Sequence, residues 1–503
     1  MNAVLKEREL HCWERILHTT MNREETLEMI VPDACADIQD IVDTQAQIQI
    51  QSKECGSGSL SLTGRALCTI LYEPEGDGWV QRLRAELPFQ LTAELEPVQQ
   101  ESCCLIRPHV SLAETRVMNP RKVLVRVELA IEVTAYQPVT LHCCEEIEDR
   151  KSLGIEVLRE RCTGNFVRRV VERPFVCTEQ LRLPGSRPPM AELLSERCRA
   201  FASESRLVGE KLIFKGGAMV ELLYRTEEGE LTTADFELPF SQIAEVGETG
   251  ETTSFQLEVQ VNSCQARAAE PDGRGVSAEL ELTAQVVLWE QVELSPITDA
   301  YSIHSTGEPD FARLPVPLLL DQDVRRLSVR EVLELGEQVA QVCQVRVRAL
   351  PTRLVGADLS VELRLSALCQ TEDGRFRCAE RSIQALCPAK VPGGADCLSF
   401  CTVPEADASV TGDGVELRLG LEFPTVITRQ QNLQVLTAFT LNPEQTVTEG
   451  PRPSIVLRQL GDGERLWDIA KAYRTTAAEI EGANSLAGEQ PRQGQMLLIP
   501  RTR

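Results

Sequence analysis

A mainly β fold, with tandem β-rich repeat domains followed by a small α+β module of βααβ order, is predicted by three observations. Long stretches alternate apolar and polar residues, a set of landmarks recurs after about 152 residues, and the last fifty residues carry the clearest helical spacing. The 503 residues are enough for three or four domains. The predicted division is three β-rich domains over 1–150, 151–299 and 300–442, a linker over 443–453, and the terminal module over 454–503.

The first repeat opens on Val31-Pro32 followed by Asp37-Ile38, and Leu183-Pro184 followed by Pro189-Met190 stands at the same spacing in the second. Leu60 to Gly64 running to Ile70-Leu71-Tyr72 recurs as Leu212 to Gly216 running to Leu222-Leu223-Tyr224. Glu86-Leu87-Pro88-Phe89 returns as Glu237-Leu238-Pro239-Phe240. Val123 to Tyr136 alternates apolar residues with polar or charged ones, which predicts a long half-buried strand, and Ala278 to Trp289 takes the corresponding place. A more divergent third copy runs from about Tyr301 to Phe439, with Val361 to Leu365 and Val415 to Leu419 as its clearest strands. Each repeat is expected to carry one short helix after its Val-Pro or Leu-Pro lead-in, with further helical segments near Arg8–Leu17 and Val324–Leu335. Gly and Pro cluster where turns are expected, as in Pro74–Gly78 and Pro271–Gly275.

In the terminal module, Leu457–Leu460 reads as a strand and Gly461-Asp462-Gly463 as a turn. Leu466, Trp467, Ile469, Ala470 and Tyr473 share one face of a first helix. Thr476 and Glu479 form a capping box that starts a second helix, finished by Ile480, Ala483 and Asn484. Gly494 breaks the chain before a last strand, Met496–Pro500. The mostly polar stretch Pro443–Pro453 reads as a linker that lets the module move.

The net charge is −24, and the eight basic and six acidic residues from Pro451 onward leave about −26 on the preceding 450. So acidic a body disfavours nucleic acid and anionic membranes and points to protein partners. Met1–Thr20 carries Lys6, Glu7, Arg8, Glu9, Glu14 and Arg15, so it has no signal-peptide core. Nothing approaches a membrane span, so no membrane insertion is expected. The expected location is the cytoplasm. Eighteen Cys, including the pairs Cys103-Cys104 and Cys143-Cys144, read as reduced, mostly buried thiols. No Cys-x-x-Cys pair and no nucleophile elbow is present, so no metal, cofactor or catalytic residue is assigned.

The run Gly463-x-x-Leu-Trp-Asp-Ile-Ala-x-x-Tyr473, then Ile480, Asn484, Leu486, Gly494 and Leu497-Leu-Ile-Pro500, resembles the LysM family. That resemblance implies a groove between the loop after the first strand and the loop before the last, contacting N-acetylated glycans largely through backbone groups. The candidate binding residues are therefore Gly463, Glu464, Arg465, Leu466, Gln493 and Gly494. Where the family usually has Gly-Asp-Thr-Leu, this chain has Gly-Glu-Arg-Leu, and the two long charged side chains stand where they could obstruct the groove. Val-Pro-x4-Asp-Ile-x-x-Ile, the Gly-containing strand ending in Leu-Tyr, and Glu-Leu-Pro-Phe together resemble the SPOCS domain.

SPOCS repeats followed by one LysM module resemble the SipL-like spore coat morphogenesis proteins. The resemblance implies a non-enzymatic adaptor on the mother-cell side of the forespore surface. Its implied partner is a SpoIVA-like spore coat morphogenetic ATPase of the basement layer, bound partly through the LysM module. The alternative is a protein that binds peptidoglycan or cortex glycan through N-acetylglucosamine. A wall hydrolase stands third, for want of a catalytic domain.

Overall fold

Alternation of period two becomes very long strands in the computed structural model, which describes residues 2–76, 78–269, 272–446, 455–486 and 491–500. The first unit comprises β1 (Leu5–Ile30), β2 (Ile38–Gly56), β3 (Ser59–Pro74), β4 (Gln81–Glu94), β5 (Cys103–Asn119) and β6 (Lys122–Ile147). β2-β3-β4 is an antiparallel meander, and β1-β6-β5 is a second layer facing it. Leu60, Leu62, Ala66, Cys68, Ile70 and Tyr72 meet Val123, Val125, Val127, Leu129, Ile131 and Val133 between the layers. Both sets fall on alternate residues, as a sandwich core requires.

After β7 (Ile155–Arg159), the plan repeats as β8 (Cys162–Arg182), β9 (Met190–Val208), β10 (Lys211–Thr226), β11 (Leu231–Glu245), β12 (Thr253–Ala268) and β13 (Gly275–Leu294). β14 (Ile297–Ser302) pairs back with β7. The third unit comprises β15 (Ser305–Glu334), β16 (Val339–Ala349), β17 (Arg353–Val355), β18 (Asp358–Thr371), β19 (Phe376–Cys387), β20 (Asp396–Ser399), β21 (Thr402–Val410) and β22 (Gly414–Thr446). The long hairpins β1/β6, β8/β13 and β15/β22 each carry a bulge, at Ile16, Arg168 and Leu320, spaced by 152 residues at each step.

The motifs have local causes. Gly64 pairs with Phe89 and Gly216 with Phe240 across the strands, and a Cβ on either glycine would lie 2.7 Å from the partner ring. A bulge in β2 or β9 also brings a carbonyl, that of Gln49 or Phe201, against the same spot. Tyr72 donates its hydroxyl to Ala36 O at 3.3 Å and Tyr224 to Pro188 O at 3.2 Å, so the tyrosine that ends each Leu-Tyr motif ties down the lead-in turn. In the third unit Val361 stands opposite Ala385, a different partition of similar volume to the Gly/Phe pair, and the smaller Cys369 takes the place of the tyrosine.

The expected helices are absent. The stretch after Val31-Pro32 is a turn that enters β2 at Ile38; the one after Leu183-Pro184 enters β9 at Met190. Val31 N–H and Ile38 N–H donate to the carbonyls of Arg121 and Pro120, which holds the chain extended. Arg8–Leu17 lies within β1 and Val324–Glu334 within β15. In both, core-facing apolar residues fall on one side of the pleat at even spacings, Leu10 and Cys12 in one and Leu327, Val329 and Leu333 in the other. β22 runs to Thr446, so residues 443–446 of the expected linker are strand, and 447–453 lie outside the described residues.

The three units pack around one junction. Val42, Leu71 and Val80 from the first meet Leu194, Leu223 and Leu231 from the second and Cys343, Leu368 and Phe376 from the third. A polar ring surrounds it. Arg346 donates to both oxygens of Asp43, Gln45 donates to Gln344 at 3.0 Å, and Gln344 donates to Glu221 at 2.6 Å. Farther out, Arg107 joins Glu132 of its own unit to Glu258 of the second, and its guanidinium lies 4.3 Å from the Phe400 ring of the third.

Burial alone would raise the Asp43 pKa, but the charge and hydrogen bonds of Arg346 outweigh it and hold the carboxyl below its ordinary value. The resulting stabilisation is complete above the unfolded-state pKa of about 3.9 and is lost as pH falls through the folded value. Asp43→Ala should cost about 3–5 kcal/mol by leaving Arg346 buried without its partner. Chemical denaturation at pH 7 measures that loss, and the gap from wild type should narrow in acid. Gly64→Ala should cost about 1–3 kcal/mol through the Phe89 and Gln49 contacts, read by the same method.

Candidate functional site

The module is built on β23 (Ile455–Gln459) and β24 (Met496–Pro500), paired antiparallel from Ile455↔Pro500 to Gln459↔Met496. Helices α1 (Leu466–Tyr473) and α2 (Ala477–Ala483) lie between them in the chain. α1 begins where the Asp468 carboxylate accepts the Arg465 N–H at 3.3 Å, and it ends at Arg474 in the left-handed region, φ 55°. α2 carries the expected reciprocal box. Glu479 N–H donates to Thr476 Oγ1 at 3.1 Å and Thr476 N–H to Glu479 Oε2 at 3.3 Å. Trp467, Ile469, Ala470, Ile480, Leu486, Leu497 and Ile499 form the buried core. Asn484 closes it by donating to Leu498 O and accepting from Leu498 N–H, both at 2.7 Å, so one side-chain amide acts as a further rung of the ladder.

The two candidate loops are neighbours. Gly494 N–H donates to Leu460 O at 3.0 Å and Leu460 N–H to Gln495 O at 2.9 Å, which sets Gln493 and Gly494 beside the turn leading to Gly463. Gly463 and Gly494 both have positive φ, 68° and 79°, a region glycine enters without a Cβ penalty. Glu464 is drawn inward, pairing with Arg458 and accepting Gly461 N–H at 3.1 Å. Arg465 is held sideways by Asp468, with both guanidinium contacts at 3.0 Å. The two charged side chains are therefore engaged within the module, while Gly461, Asp462, Gly463 and Gln493 are exposed. Leu466, the first residue of α1, is half-buried against the core. The pairing holds the Asp468 carboxyl below the ordinary carboxylate range, chiefly through the Arg465 hydrogen bond.

A second feature joins the module to the body. Asp299 on β14 accepts the Trp467 indole N–H at 2.8 Å and the Lys471 ammonium at 2.7 Å. Tyr301, on the same strand, packs edge-on to Trp467 with ring centroids 4.8 Å apart and donates its hydroxyl to Thr475 O at 2.7 Å. The aromatic pair and the buried hydroxyl bond make this a packed contact. Trp467 thus serves both the module's core and its attachment. Asp299 and Tyr301 carry no sequence signal for this role, because their partners lie some 170 residues downstream.

Outside the module, Asp43, Cys378 and Glu380 bring potential ligand atoms within 4.8 Å of one another. Arg346 already supplies the positive charge there, which makes the grouping an ion-pair site. Burial pushes the Cys378 thiol well up, against the deprotonation that metal ligation requires.

Comparison with known families matches residues 37–118 to the SipL, SPOCS domain and residues 461–500 to the LysM domain. The first match spans β2 to β5, the meander and the edge strand facing it. The second spans both candidate loops and both helices. No curated protein and no solved structure gives a significant match. Both matched families, SPOCS associated with sporulation and LysM with peptidoglycan binding, are non-catalytic binding families. No helix among the described residues is long and apolar enough to cross a membrane.

Asp299→Ala should loosen the docked module by removing the acceptor of both Trp467 and Lys471. The loss of about 1–3 kcal/mol corresponds to at least ~5-fold faster amide exchange across α1, with β2 to β4 unchanged. Hydrogen–deuterium exchange of the full chain reads both regions at once.

Proposed function

We propose that the chain is a non-enzymatic adaptor of endospore coat assembly, which binds a SpoIVA-like morphogenetic ATPase of the coat basement layer partly through its LysM module. It acts on the mother-cell side of the forespore surface. The observation that carries this reading is an apolar strip on the outer face of β23 and β24. Ile455, Leu457 and Met496 are 58%, 65% and 56% exposed, next to the loop that holds Gln493 and Gly494. Contiguous exposed apolar residues at the rim of a binding loop suit a protein partner. The SPOCS match and the large acidic body support the same reading.

A second reading, a binder of peptidoglycan or cortex N-acetylglucosamine glycan, is favoured by a different observation. Glu464 and Arg465 are tied to Arg458 and Asp468, so they leave the exposed Gly461–Gly463 backbone open to a sugar.

The two readings use adjacent surfaces and separate by mutation. Pull-down of the full chain by a purified SpoIVA-like ATPase should weaken at least ~10-fold in a Leu457→Asp/Met496→Asp variant, since two charges replace the apolar contact. Sedimentation with purified peptidoglycan should be unchanged by that variant and reduced by Gln493→Trp. Glycan sedimentation without any capture by the ATPase would reject the adaptor and leave the glycan binder.

A further inference from the structure

The first unit contains two thiols in contact across its sandwich. Cys55 lies at the end of β2, one residue from the turn into β3, and Cys104 lies near the start of β5 in the facing layer. Their sulfurs are 3.3 Å apart and share a hydrogen bond. Cys104 is buried and Cys55 is half-buried beside the turn at Ser57-Gly58. Lys53 stands over the pair, its ammonium bonded to Cys104 O at 2.7 Å and paired with Glu172.

We propose that Cys55 and Cys104 are an oxidation site, at which hydrogen peroxide converts the two thiols to a disulfide that staples the two layers of the first unit. A disulfide needs sulfurs about 2.05 Å apart, and the turn next to Cys55 supplies the small closing movement. In the first step the Cys55 thiolate attacks a peroxide oxygen and the O–O bond breaks. Cys55 becomes a sulfenic acid and the departing hydroxide takes a proton to leave as water. In the second step the Cys104 sulfur attacks the sulfenic sulfur, the S–OH bond breaks, and the hydroxide leaves as water with the Cys104 proton. Two thiols are oxidised and one peroxide is reduced, giving one disulfide and two waters.

The acidities assign the roles. The hydrogen bond from Cys104, aided by Lys53, pulls the Cys55 thiol down to about 7, while the same bond and burial push Cys104 up. Buried thiols without such a neighbour go the other way, Cys68 and Cys343 each to about 12. Cys55 is also the less buried of the two, at the end of β2 beside the turn, which makes it the attacking thiolate, and the buried Cys104 resolves the intermediate.

The test treats the folded full chain with stoichiometric hydrogen peroxide at pH 8, then digests it under non-reducing conditions for mass spectrometry. The expected product is a Cys55–Cys104 cross-linked peptide lighter by two hydrogens, lost on adding dithiothreitol, with the Tm of the oxidised protein raised by a few degrees, roughly as closing such a loop requires. Cys104→Ser should leave Cys55 as a sulfenic acid that dimedone traps, and Cys55→Ser should give neither product. Oxidation of other cysteines while Cys55 and Cys104 stay reduced in the wild-type protein would overturn the proposal. So would failure of dimedone to label folded Cys104→Ser.

Discussion

The structure depends on strands that are buried on both faces. In β3 the residues on one side of the pleat, Ile70 and Tyr72, enter the unit's own sandwich, while Leu71 points the other way and is equally inaccessible. Leu223 in β10 and Leu368 in β18 repeat that placement. No unit can cover its own outward leucine, since the pleat sends it away from the facing layer. The other two units complete its burial. Three copies of one strand plan therefore close on each other, and the separate domains that a tandem repeat suggests become one body.

Apolar contact alone would leave the three copies interchangeable around that junction. The polar ring distinguishes them. Equivalent positions hold Asp43, Ser195 and Gln344, and two places further on Gln45, Arg197 and Arg346, so each interface has its own donors and acceptors. Arg346 pairs with Asp43 on the first unit, and Gln344 bridges Gln45 to Glu221. A buried charge is costly in any arrangement that leaves it unpaired, so the ring selects one order of assembly. The same body then fixes the LysM module: β14, the short strand between the second and third units, presents Asp299 and Tyr301 to Trp467. With α1 turned toward the body, the loop pair and the apolar strip remain exposed.

Much of this was legible in the amino-acid sequence where the cause is local. Period-two runs announced the strands, Thr476 and Glu479 announced the start of α2, and the recurring Gly64 and Phe89 motifs marked the repeat. The run Ile70-Leu71-Tyr72 even broke the alternation at the junction, though its meaning needed the other two copies. The third repeat was faint because Val361 and Ala385 fill the volume of Gly and Phe, and Cys369 stands where a tyrosine hydroxyl would signal. Helices were misread after the Val-Pro and Leu-Pro lead-ins, near Arg8 and near Val324, because short apolar stretches fit either period until a partner strand is known. The docking of Trp467 on Asp299 was invisible for the same kind of reason: it joins residues far apart in the chain and looks local at neither end.

Hydrogen–deuterium exchange of the full chain carrying Leu223→Asp tests most directly whether the three units are one body. A charge at the junction should speed exchange at the ends of β3 and β18 as well as β10, because all three bury the same cluster. Faster exchange confined to the second unit, with β3 and β18 as protected as in the unmodified protein, would show that the units hold their outward leucines independently and would contradict the account.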